Sequence, residues 1–268
     1  MGGHALNLAF SPCPNDTFIF HALLHDCIDR GPFSFTAFMD DVETLNQEAF
    51  RERFHLTKLS FFAYLHLKDR YELLDAGAAL GYGCGPLVVA KSKDVPLSSA
   101  RIAVPGAYTT AHLLLRLRHP GALNIEITRF DNILPGIESG AYDAGVIIHE
   151  GRFVYPNYGC IEIVDLGAWW EKETGLPIPL GCIALRREPS IIGLKENLER
   201  LIRNSIQHGF DNRAASRDFI KTHAQELDDG VIDSHIGLYV NRFSLSLGEE
   251  GRKAVATLEE MARCRNIL

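Results

Sequence analysis

The side chains that could do chemistry at neutral pH fall in four short stretches of this sequence. His149 and Glu150 close the apolar run GVII and are followed at once by Gly151. Ser11, Asn15, Asp16 and Thr17 lie in SPCPNDTF, Ser60 precedes Phe61 and Phe62 in TKLSFF, and Thr109 and Thr110 lie in PGAYTTAH. An imidazole whose ordinary pKa is about 6.5 is the natural general base at neutral pH. Among eleven histidines, His149 alone directly ends a strongly apolar run, which makes it the candidate base. Glu150 does not complete a metal pair with it, because adjacent residues of a strand point to opposite faces. Its expected role is to orient a loop or helix.

The hydroxyl residues suggest binding rather than bond-making. A helix opening at Thr109 and Thr110 presents free N–H groups and a positive dipole end, and Gly106 lets backbone approach closely, so PGAYTTAH can cradle an anion. It lacks the lysine and glycine spacing of a P-loop, which favours a small carboxylate over a nucleotide. Ser60 has no GxSxG elbow around it and reads as a hydrogen-bonding group, not a nucleophile. Helix capping accounts equally well for Asp16, Thr17, Ser60, Thr109 and Thr110, and Phe61, Phe62 and Tyr64 read mainly as core.

These residues must be positioned by an alternation of short apolar runs with stretches of helical period, the pattern of an α/β protein. Strands are predicted over residues 5–10, 33–39, 55–59, 86–90, 101–104, 124–128, 144–148 and 179–185. Helices are predicted over 17–28 (capped by Asn15 or Asp16), 42–50 (started by Asp40 and Asp41), 60–67, 110–117 and 133–139. Residues 191–268 are helical by period, with a break at 228–232. Each candidate residue follows a strand, where open parallel sheets place their ligand crevice.

Two apolar runs, GPLVVAKSK (85–93) and GCIALRRE (181–188), can carry crossings between an N-terminal block and a second block. The expectation is a two-lobed α/β fold with two crossover hinge strands. The larger, discontinuous lobe comprises residues 1–90 plus 188–268, residues 91–187 form the smaller inserted lobe, and the site lies in the interlobe cleft. A single doubly wound sheet is the alternative.

Composition excludes several function classes. A net charge of −7, with lysines and arginines scattered over 268 residues, gives no footprint for nucleic acid. Six cysteines lie far apart without a CxxC pair, which suggests reduced thiols rather than a zinc site or disulfide framework. MGGHALNLAF has no basic n-region or long apolar core, and no apolar run approaches the roughly 18–20 residues of a membrane helix. The expected setting is cytoplasmic, with a small-molecule carboxylate as partner and no membrane; oligomeric state is left open.

SPCPNDTFIFHAL, DVETLN, TKLSFFAY, GAALGYGCGPLVVA, VPGAYTTAHLLLRL, GVIIHEGRF and LPIPLGCIAL, in this order, resemble the 1,4-dihydroxy-6-naphthoate synthase family of the futalosine route to menaquinone. The likeness runs from about residue 8 to 187 and continues more weakly to HIGLYVN near 240. It implies a periplasmic-binding-protein-like (type 2) fold without a secretion signal, a lyase acting on cyclic dehypoxanthinylfutalosine, and no metal or organic cofactor. By the same resemblance His149 matches the base, Ser60 and Thr110 match ligand-contacting hydroxyls, and Asn46 and Tyr239 match polar residues of the pocket. A related dehydratase acting on chorismate, and a solute-binding or sensor protein without chemistry, are the alternatives.

Overall fold

The computed structural model describes residues 3–268. The chain enters through strand β1 (His4–Phe10), helix α1 (Pro14–Leu24), β2 (Phe33–Met39), α2 (Val42–Phe50), β3 (Leu56–Ser60), α3 (Phe61–His66), β4 (Tyr71–Leu73) and β5 (Ala79–Gly81). It continues through β6 (Leu87–Ala90), β7 (Ile102–Val104), α4 (Thr110–Arg118), β8 (Ile125–Ile127), α5 (Ile133–Glu138), β9 (Ala144–Ile147), α6 (Gly151–Val154), β10 (Ile161–Asp165) and α7 (Leu166–Thr174). The last part holds β11 (Ile178–Arg186) and helices α8 (Lys195–Asp211), α9 (Arg217–His223), α10 (Asp229–Tyr239), α11 (Arg242–Leu245) and α12 (Gly248–Cys264).

Two sheets result, not one. The first has the order β2-β1-β3-β11-β4, with β5 also paired to β11; the second has the order β10-β6-β9-β7-β8. In the first sheet β1 is parallel to β2 and β3, while β11 runs antiparallel to β3, β4 and β5. Both strands proposed as crossings therefore lie just beyond a crossing. Leu87–Ala90 pairs within the second sheet, and Ile178–Arg186 within the first. The expected lobe limits placed residues 87–90 with the first lobe and 178–187 with the inserted one; hydrogen bonding distributes these strands the other way.

Local chemistry explains the other differences. Pro14 occupies the first turn of α1, where its missing N–H costs nothing, so the helix starts three residues earlier than the predicted 17 and Cys13 becomes its N-cap. It ends at Leu24, not 28. Asp41 caps α2 as expected, accepting from the N–H groups of Glu43 and Thr44. The predicted break at 228–232 falls earlier, because Asp228 accepts from Val231 N–H and caps α10, making 229–232 helical. Strands β4, β5 and β10 and helix α7 lie outside the sequence expectations.

The first sheet packs its helices around Phe10, Phe18, Ile19, Phe20, Leu56 and Ile183, all fully or almost fully buried. Helix α8 closes this core: Ser205 Oγ donates to Ile19 O at 2.6 Å and accepts from Leu23 N–H at 3.1 Å. Glu199 and Arg203 tie α8 to the β4–β5 loop. Glu199 accepts from Asp75 N–H at 2.9 Å, and Arg203 bonds Asp75 at 3.1 Å. Where the chain enters the second sheet, backbone meets backbone. A Cβ on Gly85 would lie 2.2 Å from Gly167 Cα, so the passage into β6 requires glycine. No helix among the described residues is long and apolar enough to cross a membrane.

Candidate active site

Lys58 and Ser60 are two residues apart on β3 and so project to one face of the sheet, toward the second lobe. There they meet a cavity of about 650 Å³, counted to its open mouth. Ser11, Asn15 and Asp16 line it from the first lobe, Thr109, Thr110 and His149 from the second, and Tyr239 from α10. Five of the six proposed site residues thus share one cavity. The sixth, Asn46, does not line it.

Asn46 was expected to touch ligand; it is instead fully buried behind Ser60. Its Oδ1 accepts from Ser60 N–H at 3.0 Å, and its Nδ2 donates to Ser60 Oγ at 3.1 Å and Glu43 Oε2 at 3.3 Å. Because Ser60 Oγ accepts from Asn46, its own proton is left to donate into the cavity. Ser60 precedes α3 in the N-cap position, yet its side chain makes no capping bond. Asn46 is a positioning residue for that hydroxyl.

The capping explanation also fails for Asp16. With the helix starting at Pro14, the Asp16 carboxylate is free to form a network. It accepts from Lys58 Nζ at 2.8 Å, from Ser11 Oγ at 2.8 Å and N–H at 3.2 Å, and from Asn15 Nδ2 at 2.8 Å. Asp16 is 1% exposed and Lys58 4%, so the ion pair lies inside the protein and is held by hydrogen bonds. Lys58 also donates to Gly77 O at 3.0 Å, leaving its third donor for the cavity. Lys58 was missed in the sequence. A lysine inside a strand whose five residues are all buried, two before Ser60, was the signal that could have found it.

Asn15 extends the network to a second missed residue. Its Oδ1 meets His235 Nε2 at 2.9 Å; since Asn15 donates through Nδ2 to Asp16, His235 carries its proton on Nε2. His235 is fully buried, stacks on His149 at 6.2 Å between ring centroids, and packs against Tyr239 at 4.7 Å. Burial and the neighbouring His149 hold its pKa well below the usual range, so it stays neutral.

His149 lies beyond the end of β9, not on it. Its φ of +52° is left-handed, a conformation that is uncommon outside glycine and in which histidine is among the enriched exceptions. The turn is closed by Gly151 N–H donating to Ile148 O at 3.1 Å. The ring is half-buried, edge-on to Phe130, and its Nε2 is shielded from solvent without a hydrogen-bond partner. Burial lowers its pKa to about 4; Asp16 and Asp41 oppose this and Lys58 adds to it. The imidazole is therefore in its neutral, proton-accepting form at pH 7.

This turn overturns two expectations for Glu150. The argument from opposite strand faces does not apply, and Glu150 lies beside His149. Nor does its carboxylate orient a loop by hydrogen bonding, since both oxygens are buried without partners. Burial raises its pKa to about 7.

Thr109 does cap α4, accepting from His112 N–H at 3.3 Å and donating to Gly106 O at 3.0 Å. Thr110 Oγ1 donates to Leu180 O at 2.7 Å and accepts from Phe62 N–H at 3.2 Å, fastening α4 to the first lobe. The earlier N–H groups of α4 have no partner inside their own helix and remain suited to an anion. Gly106 is needed for approach, since a Cβ there would lie 2.6 Å from Glu43 Cβ. Glu43 also accepts from Tyr108 N–H at 3.2 Å, joining the lobes across the cleft.

A neutral imidazole, a hydroxyl donor, a lysine donor and a helix N-terminus thus converge on a cleft between two α/β lobes. The fold is that of the periplasmic-binding proteins. An alkanesulfonate-binding protein of Xanthomonas axonopodis has it with a TM-score of 0.71 at 15% identity, over 100% of this chain and 95% of that one. A crystal structure of an Archaeoglobus fulgidus protein is much more similar, with a TM-score of 0.94 and 35% identity over 99% of both chains. The 1,4-dihydroxy-6-naphthoate synthase of Thermus thermophilus is 49% identical over 98% of this chain and 96% of the relative. A family model described as menaquinone biosynthesis matches residues 6–264. The chain belongs to the 1,4-dihydroxy-6-naphthoate synthase family of menaquinone biosynthesis.

Proposed function

We propose that this enzyme is a cofactor-independent, cytoplasmic lyase that converts cyclic dehypoxanthinylfutalosine to 1,4-dihydroxy-6-naphthoate, with His149 as the base. The observation that carries this reading is the neutral imidazole at the cavity wall, opposite a hydroxyl held by Asn46 and beside the start of α4. The α4 terminus holds the substrate carboxylate through the free backbone N–H groups of its first turn, the hydroxyl protons of Thr109 and Thr110 being given to Gly106 O and Leu180 O. Ser60 donates to a ring ketone or a sugar-derived hydroxyl, and Lys58 offers a second donor. His149 takes a proton, an enolate forms, and a retro-aldol-like cleavage breaks the carbon–carbon bond and releases the sugar-derived fragment. Formation of the aromatic naphthalenediol drives the step.

Incubation with cyclic dehypoxanthinylfutalosine, followed by mass spectrometry, tests this. The proposal expects the naphthoate to accumulate catalytically. Ligand bound and returned unchanged would favour a solute-binding or sensor protein, and turnover of chorismate instead would favour the dehydratase.

A further inference from the structure

Cys13, at the start of α1, comes from the first lobe; His149 and Glu150 come from the turn after β9 in the second. Cys13 Sγ, a ring nitrogen of His149 and a carboxylate oxygen of Glu150 all lie within 4.8 Å of one another. The hydrogen bonds described above use none of these atoms. Glu150 is 3% exposed and both its oxygens lack a partner, as does His149 Nε2. A buried carboxylate without a donor, aimed at a thiol and an imidazole, is costly unless something pairs with it.

We propose that Cys13, His149 and Glu150 form a site for a thiophilic divalent cation of the zinc type. Sulfur, nitrogen and oxygen donors together are a borderline-soft set that suits Zn²⁺ and not Mg²⁺ or Ca²⁺. Thiolate and carboxylate balance the charge of the dication, and the imidazole binds as the neutral ring it already is. Bond lengths of about 2.0–2.3 Å around a tetrahedral ion put its ligand atoms about 3.3–3.7 Å apart, so small side-chain rotations close the cluster. Three protein ligands leave a fourth position, and His149 lines the cavity through which an ion or water reaches it.

An imidazole that binds such an ion through one nitrogen carries its proton on the other, so His149 could not then accept the substrate proton. The ion would therefore act as an inhibitor rather than a cofactor, a consequence that rests on the proposed role of His149, whereas binding itself does not. It also spans the two lobes, tying α1 to the turn after β9.

The test uses chelator-treated full-length protein titrated with Co²⁺. The expected result is one equivalent bound, with the visible bands of a four-coordinate ion and a thiolate-to-cobalt charge-transfer band, all displaced by Zn²⁺. Cys13→Ser should abolish the charge-transfer band. Glu150→Gln, which keeps the shape of the side chain, should retain that band while weakening affinity about ten-fold or more. Absence of a stoichiometric cobalt complex, or a complex unchanged in Glu150→Gln, overturns the proposal. Because the titration reads binding and not turnover, that failure would leave the proposed reaction to its own test.

Discussion

Removing one member of the Asp16–Lys58 pair should be far more damaging than removing both. At 2.8 Å the two charges attract by about 6 kcal/mol for an effective dielectric constant of about 20. Breaking a buried pair on one side leaves an uncompensated charge and typically costs about 3–5 kcal/mol. Asp16→Asn is nearly isosteric and leaves the Lys58 ammonium with Gly77 O; Lys58→Met leaves the Asp16 carboxylate with Ser11 and Asn15. At about 2–4 °C per kcal/mol for a chain of this size, each single variant should melt about 6–20 °C lower. The double variant carries no unpaired charge and should be less destabilised than either single, a coupling of about 3–5 kcal/mol or more relative to the sum of the singles. Calorimetry and urea denaturation of the four proteins close the double-mutant cycle. Single losses below about 1 kcal/mol that simply add would refute the buried-pair account.

Three further outcomes follow from the same site. With His149 held near pKa 4 by burial, kcat/KM should not lose its basic group at the ordinary histidine pKa, and activity should persist as pH falls from 7 to about 5. An acidic limb at 6.5 or above in a pH–rate profile would contradict this. Stability should reveal both groups with opposite signs. The lowered pKa of His149 makes the unfolded chain bind more protons between pH about 4 and 6.5, so stability rises with pH there; the raised pKa of Glu150 makes stability fall between about 4.5 and 7. His149→Asn should therefore lose about 3 kcal/mol of stability from pH 4.5 to 7, and Glu150→Gln should gain with rising pH; urea midpoints across pH with the opposite slopes would sink the reading. Finally, Asn46→Ala should cost about 1–3 kcal/mol by leaving the N–H of Ser60 buried without a partner. An unchanged urea midpoint in that variant would show that the Asn46–Ser60 clamp is not needed.

The parts of the fold set by apolar period were legible: the long strands and most helices followed from it, and so did the collection of polar residues at strand ends. Strands β4 and β5, three residues each, have no period of their own and exist because β11 pairs with them. His149 was legible as the polar end of an apolar run, but the left-handed turn that brings Glu150 beside it was not, since it depends on φ at a residue other than glycine. Asp16 looked like a helix cap until Pro14 took the first turn and freed its carboxylate. His235 was illegible for a simpler reason: the partner that gives it meaning, Asn15, lies 220 residues away in sequence.

The central claim is that His149 removes a proton from a substrate held by the rest of the cavity. Turnover of cyclic dehypoxanthinylfutalosine by His149→Ala, measured together with its affinity for that substrate, tests it most directly. General-base catalysis contributes about 10²–10⁴ in rate, so kcat should fall at least about 100-fold while the dissociation constant stays close to that of the unaltered protein. Near-normal turnover in the variant would contradict the assignment.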